Sequence, residues 1–386
     1  MLQHSLTIMN KGARKIVLYI ILALIVLDFM IVLNSFLIYS LKQEKKETPM
    51  MIPIEDDINK DIDFELNISK TYLAVGGTDV LESKENDLSF KSLDETIATV
   101  NEEGIITGIK AGSTKIEITK EGTTKEVDVL VTDLIVPRPV EFDTKKPYLT
   151  CGLYSKEAND LLDEIYQYRM ERVGMNTRAS VVEALRFVTL ELPYRVPYFS
   201  ENGRMGSYGG VKVVDGEGRF YHKGLYLSQD RTSVITKPMN GPAPWGCPIY
   251  SVPSGGMRAN GFDCSGFISY IVYNGGFDPE DIGAGVSSYQ DMTDLGEKKL
   301  LSDAIASDTL KVGDLLSGQG VGGGHIAMLV GIKDGYYYIG ESLWHPKPNN
   351  GALISKYNSQ EILNHYYWQV DMDNYYKEDG DLTNYW

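Results

Sequence analysis

Read from its beginning, the chain first shows a long apolar run. From Ile16 to Leu41 only Asp28, Asn34 and a few small polar residues interrupt it. That exceeds the roughly 20 residues that cross a bilayer and the roughly 7–15 of a signal-peptide core, and no small-x-small cleavage site follows. The pattern predicts one uncleaved transmembrane helix over 16–41, a tail over 1–15 and a charged stalk over 42–62 containing Pro53. Lys11, Arg14 and Lys15 before the helix balance Lys42, Lys45 and Lys46 after it, so these charges do not orient it. Asp28 reads either as a contact with another membrane helix or as a protonated carboxyl in an apolar host.

The pattern then shortens to alternating segments with turn signals between them. Ile68–Val75, Thr96–Val100, Ile105–Ile109, Thr114–Ile118 and Val127–Val131 read as strands, separated by Gly76-Gly77, Asn101 to Gly104, Lys110 to Gly112 and Glu121-Gly122. Short strands at regular spacing predict a small all-β sandwich over 63–133. The stretch TIATVNEEGIITGIKAGSTKIEI, with YLAVGG upstream, resembles bacterial Ig-like domains of the Big type. The resemblance implies a spacer, or a module that contacts a cell-surface protein or glycan; no catalytic constellation lies within it.

Pro137 and Pro139 mark a linker, and residues 134–177 read as linker with a helix. That helix spans Lys156–Arg172 and lines up Leu161, Leu162, Ile165 and Tyr168; a second spans Arg178–Leu192, with Val181, Leu185, Val188 and Leu192 on one face, and Pro193 ends it. Residues 200–260, rich in Gly and Pro, read as an insertion or lid within a domain over 178–386.

Composition narrows the function. The formal charge is −16, and beyond residue 50 there are 31 basic against 50 acidic residues, a net of −19. Such a surface offers no excess of Lys or Arg to replace phosphate counterions, which argues against nucleic-acid partners. Cys151, Cys247 and Cys264 are too few for a disulfide framework or zinc site, and five His form no ligand pair at helical spacing. No metal or cofactor is expected. Cys151 and Cys247 either pair or remain thiols.

Candidate chemistry centres on GFDCSGFISYIVYNGG. A turn over Gly261–Asp263 leads into an apolar helix from about Cys264, and Gly275-Gly276 ends it. A Cys in the first turn sits at the positive end of the helix dipole, which favours thiolate, and free N–H groups there could hold an oxyanion. The plain alternative is a buried, inert Cys. His325 follows three glycines and opens HIAMLVGI, a buried strand; YYYIGES returns beside it after Lys333-Asp334-Gly335. A two-residue Asp334-Gly335 turn would place Glu341 opposite Met328, away from His325, leaving Ser342 to orient the imidazole. A three-residue Lys333-Asp334-Gly335 loop places Glu341 opposite Ala327, on the His325 face. The second arrangement is expected, with Cys264 as nucleophile, His325 as base and Glu341 as orienter.

FDCSGF, LKVGDLL (Leu310–Leu316) and GHIAMLVGI…YYYIGES, in that order, resemble the NlpC-type cell-wall cysteine peptidases, and ALRFVTLELPY resembles their first helix. The resemblance covers roughly 178–370. It implies an α+β papain-like domain, with helices packed on an antiparallel sheet, that cleaves amide bonds in peptidoglycan stem peptides. By position it assigns Cys264, His325 and Glu341 to the catalytic places. Asp263 and Ser265 match substrate-binding positions (Asp263 also reads as a simple helix cap), and Tyr194 or Tyr198 matches a substrate-side Tyr. The sequence departs from the family in the 200–260 insertion, whose Trp245 is a further substrate-side candidate, and in Glu at the third catalytic place. With the apolar run over 16–41 as anchor, the implied wall substrate sets the expected orientation, C-terminal domains outside the cell. An amidase or acyltransferase on another amide, or a non-catalytic wall-binding protein, are the alternatives.

Overall fold

The structure, a computed structural model, describes residues 64–139, 146–150, 152–198, 207–208, 211–212, 237–238, 245–246, 250–251, 261–277, 295–320, 323–344 and 351–386. The expected anchor and stalk, Asp28, Cys151, Cys247 and most of the 200–260 insertion lie outside these residues. No helix among the described residues is long and apolar enough to cross a membrane.

Seven strands form the first layer pair: β1 (Lys70–Ala74), β2 (Thr78–Val80), β3 (Ser89–Ser92), β4 (Ala98–Val100), β5 (Ile105–Gly108), β6 (Gly112–Lys120) and β7 (Thr123–Thr132). One sheet has the order β1-β7-β6-β3 and the other β2-β5-β4. Val127, Val129 and Val131 recur at the strand period of two, so they all point inward, against Ile106, Ile116 and Ile118. Burying each such side chain contributes about 1.5–3 kcal/mol. The alternation pattern missed β2 and β3 because TDV and SFKS are short and largely polar.

Two helices follow, α1 (Lys156–Arg172) and α2 (Arg178–Arg186), then α3 (Cys264–Asn274). Thr177 caps α2 reciprocally with Ser180, and a π-turn over Phe187–Glu191 continues it towards Pro193, so the α-helical part is shorter than the pattern predicts. The rest is β8 (Glu297–Leu300), α4 (Leu301–Ala306), β9 (Leu315–Gly320), β10 (Gly323–Lys333), β11 (Tyr336–Leu343), β12 (Gly351–Asn358), α5 (Ser359–His365), β13 (Trp368–Asp371) and α6 (Asp373–Tyr376). These strands make one antiparallel sheet of order β8-β13-β9-β10-β11-β12. Helix α2 lies close on it: a Cβ at Gly340 would come within 2.2 Å of the Leu185 side chain.

Helix α1, read from the sequence as part of a linker, is built into this core through Leu162, Ile165, Tyr166 and Met170. Its other flank holds the sandwich. Tyr168 Oη donates to the Lys70 carbonyl at 2.7 Å, Arg169 donates to the Tyr72 carbonyl at 2.8 Å, and Arg172 pairs with Asp79. Tyr72 in turn donates to Glu164.

Candidate active site

The position of Cys264 is set by local chemistry. Asp263 caps α3, its carboxylate accepting from the Gly266 N–H at 2.6 Å, so Cys264 opens the helix and remains partly exposed. The preceding loop is tied down on both sides. Ser342 Oγ on β11 donates to the Phe262 carbonyl at 2.9 Å, and the Phe262 N–H donates to the Pro197 carbonyl at 3.1 Å. Gly261 has to be glycine for this approach, because a Cβ there would sit 1.8 Å from the Pro197 oxygen.

His325 stands near the start of β10, opposite Gly318 on β9. Its Nε2 lies 2.7 Å from Glu341 Oε2, with the Glu341 side chain only 1% exposed. Cys264 at the start of α3 lies near enough to the imidazole to raise its basicity. With Nε2 taken by Glu341, Nδ1 is the ring nitrogen left for the thiol. Cys264, His325 and Glu341 thus form one chain of contacts from α3 through β10 to β11.

The expected three-residue loop between these strands is not what occurs. Asp334 and Gly335 form a two-residue turn, both at left-handed φ (52° and 75°), and Lys333 pairs with Tyr336. Continued unbroken, that register would turn Glu341 away. A β-bulge at Val330 corrects it: Gly331 pairs with Tyr338, but Leu329 pairs with Ile339 and Met328 with Gly340. One step on, Glu341 faces Ala327 and reaches the His325 side.

Sequence reasoning missed the groups that hold Glu341. Tyr366 Oη donates to Oε2 at 2.6 Å, Ser355 Oγ donates to Oε1, and Tyr357 Oη reaches Oε1 at 3.5 Å. The available signal was polar residues at alternate places in β12, Ser355 and Tyr357, beside the Glu341 strand. Tyr366 comes close because Gly318 leaves room; a Cβ there would lie 2.2 Å from the His365 carbonyl oxygen. Burial alone would raise the Glu341 pKa, but the hydrogen bond and charge of His325, with Ser355 and Tyr366, hold it below the usual carboxylate range. Burial likewise lowers the His325 pKa, yet the nearby Cys264 and the hydrogen bond and charge of Glu341 push it up to about 10. Burial and the Glu341 charge raise Tyr366, which stays a neutral donor.

The other sequence candidates are placed as follows. Asp263 and Ser265 are buried, and Ser265 Oγ lies 3.4 Å from Asp263 in the cap. Tyr198 forms a bridge with Phe262, beside the Cys264 loop. Tyr194 lies edge-on to Tyr154, 6.2 Å between centroids. Trp245 departs from its expected substrate-side role. It is fully buried against Tyr166 and Phe187, its backbone N–H donating to Asn159 at 2.6 Å and its indole N–H to Asp163 at 2.7 Å. A Trp so enclosed has no surface to offer a substrate.

No group of three His, Cys, Asp or Glu among the described residues could hold a metal ion. A cavity of about 590 Å³ lies between the sandwich and helices α1 and α2, with none of the three chemical residues in its walls. Among its lining side chains, Arg138, Arg169 and Arg172 are already paired with Glu183, Glu191 and Asp79.

No family model matches this chain, and no curated protein matches it. Among solved structures it is similar to domains 4 and 5 of the S-layer protein SbsC, at 19% identity and TM-score 0.16, covering 18% of this chain and 51% of that one. It is similar also to SbsC domains 5–6, at 19% identity and TM-score 0.17, covering 25% of this chain and 57% of that one. The chain therefore spans little more than half the length of these structures, and likenesses at such scores carry no argument about fold or function.

Proposed function

We propose that this chain is a membrane-anchored, extracytoplasmic cysteine hydrolase of papain-like fold that cleaves amide bonds in peptidoglycan stem peptides. The observation that carries the reading is the contact chain Cys264–His325–Glu341, with Nε2 of His325 on a buried carboxylate and the other ring nitrogen left for the thiol. A nucleophile, a base and an orienting group joined in that order are what covalent acyl transfer requires.

In the proposed reaction the Cys264 thiolate attacks the amide carbonyl carbon, forming a C–S bond. The Cys264 N–H, in the first helical turn and without an intrahelical acceptor, donates to the oxyanion. His325, charged at neutral pH, gives its proton to the leaving amine as the C–N bond breaks. Water then attacks the thioester, His325 takes a proton from it, and the C–S bond breaks to release the carboxylic acid and restore the thiolate–imidazolium pair. Glu341 holds the imidazole in place throughout. The apolar run over 16–41 would anchor the chain with its N-terminal tail in the cytoplasm, and the Ig-like sandwich would stand between membrane and hydrolase.

The test is incubation of the purified chain and its Cys264→Ala variant with peptidoglycan digests, reading products by mass. The expected result is new fragments from the unaltered chain alone, each cut leaving one new carboxyl and one new amine. No fragments from either, with Cys264 slow towards iodoacetamide, would overturn the catalytic reading and leave a wall-binding protein.

A further inference from the structure

Arg186, at the end of α2, is 4% exposed, and its hydrogen-bond partners are a hydroxyl and two carbonyls rather than a carboxylate. Its three paired bonds are all to one place. Nη1 donates to Thr383 Oγ1 at 2.9 Å, and Nη2 donates to the Thr383 carbonyl at 2.8 Å and to the Val330 carbonyl at 2.6 Å. Val330 is the extra residue of the bulge in β10. The neighbouring segment completes the grip: the Ile332 N–H donates to the Asn384 carbonyl at 2.5 Å. On the other side of the bulge the Leu329 carbonyl accepts from the Gly313 N–H at 2.7 Å.

A buried guanidinium with no carboxylate at salt-bridge distance is costly, and its bonds to carbonyls offset only part of that cost. Its Nε has no partner at all. Burial and the nearby Arg138 lower its pKa to about 10, with Glu183 opposing only in part. General packing does not account for such a group when a Met or Leu would fill the same space. What it alone supplies is a donor fork on a carbonyl that a regular ladder would turn elsewhere.

We propose that Arg186 is a positioning residue for the active site: with Thr383 and Asn384 it fixes the bulge at Val330, and the bulge sets the register that lays Glu341 against His325. The inference rests on the hydrolase reading for its catalytic meaning, but the register it describes exists without turnover. If the bulge flattened, the Asp334-Gly335 turn would impose its own register along the whole hairpin. Glu341 would then face Met328 instead of Ala327, and the imidazole would lose its carboxylate.

The His325 ring reports this directly. Its titration, followed by NMR of ring-labelled histidine in the full chain and assigned with His325→Gln, depends on its burial, on Cys264 and on Glu341. In Arg186→Met we expect the midpoint to move from about 10 towards the ordinary 6.5, together with at least a tenfold loss of hydrolysis. Arg186→Lys, which keeps one donor, should fall between. Deleting Val330 from Arg186→Met should restore the titration, because without the extra residue the ladder runs unbroken from the two-residue turn to the Met328–Gly340 pair. A folded Arg186→Met with an unchanged midpoint, or no recovery on deleting Val330, would overturn the proposal. If Arg186→Met does not fold, Arg186→Lys and Thr383→Val carry the test: each should lower the midpoint by about one pH unit, and unchanged midpoints in both would overturn it. Absence of peptidoglycan cleavage by the unaltered chain would defeat the hydrolase reading while leaving this test intact.

Discussion

Two hairpins in this molecule share a turn and differ in everything that follows from it. In the sandwich, β6 and β7 meet at Glu121-Gly122, with φ of 48° and 89°; in the six-stranded sheet, β10 and β11 meet at Asp334-Gly335, with φ of 52° and 75°. From the first turn the register runs unbroken through nine pairs, Lys120–Thr123 to Gly112–Val131. From the second it holds for three pairs and then shifts at Val330. The sandwich hairpin needs only to bury one face, and its turn and alternation do that. The other must bury a face and also bring an imidazole and a carboxylate together across it. There the turn gives way to a bulge held by Arg186 and the segment around Thr383. Turn chemistry sets register where burial is the only demand; where two functional groups must meet, a distant side chain overrides it.

The largest way to break the contrast is at its purpose. Glu341→Gln keeps the shape of the hairpin and removes the charge, and we expect hydrolysis to fall on the order of 10²–10⁴-fold, measured as kcat/KM on a stem peptide. The same change should flatten a pH dependence of stability. Because the folded pKa of His325 is raised, folded protein retains a proton that the unfolded chain releases near 6.5. Stability from this source is full below about 6.5 and is lost as pH rises through about 10. Denaturant titrations across that window should show the slope in the unaltered chain and a shallower one in Glu341→Gln.

A smaller effect is expected at the support. Tyr366→Phe removes a hydroxyl bonded to the Glu341 carboxylate, at a cost of about 1.5–3 kcal/mol for a hydrogen bond to a charged group. It should lower the His325 midpoint by less than Glu341→Gln does, whereas a purely structural tyrosine would cost stability and leave the midpoint unmoved. The smallest change sharpens the comparison itself. Gly122→Ala and Gly335→Ala each force a side chain into a left-handed position with open space around it, costing roughly 1–2 kcal/mol. Both should destabilise alike in denaturant melts, and Gly335→Ala should leave the His325 titration in place because the bulge stands between turn and site.

Local signals were legible along the chain and distant ones were not. The apolar period of 156–172 coincides with α1 because it is a property of adjacent turns, and Cys264 opens α3 because its cap, Asp263, is the preceding residue. The sequence predicts the face of Glu341 through a three-residue loop; it is reached through a two-residue turn and a bulge. The bulge could not be read locally, since the guanidinium that holds Val330 stands 144 residues away in sequence. The same holds for Tyr366, brought to Glu341 by a glycine on β9. The Gly and Pro neighbours of Trp245 predict a lid residue, whereas its burial is set by Tyr166, Phe187, Asn159 and Asp163, all far earlier in sequence.

The central claim is that Cys264 carries a stem-peptide acyl group, and hydroxylamine trapping tests it most directly. With the unaltered chain and peptidoglycan fragments, added hydroxylamine should divert part of the product from carboxylate to hydroxamate, read by mass, and Cys264→Ala should yield neither. Carboxylate formed without any hydroxamate, or products persisting in Cys264→Ala, would contradict the account.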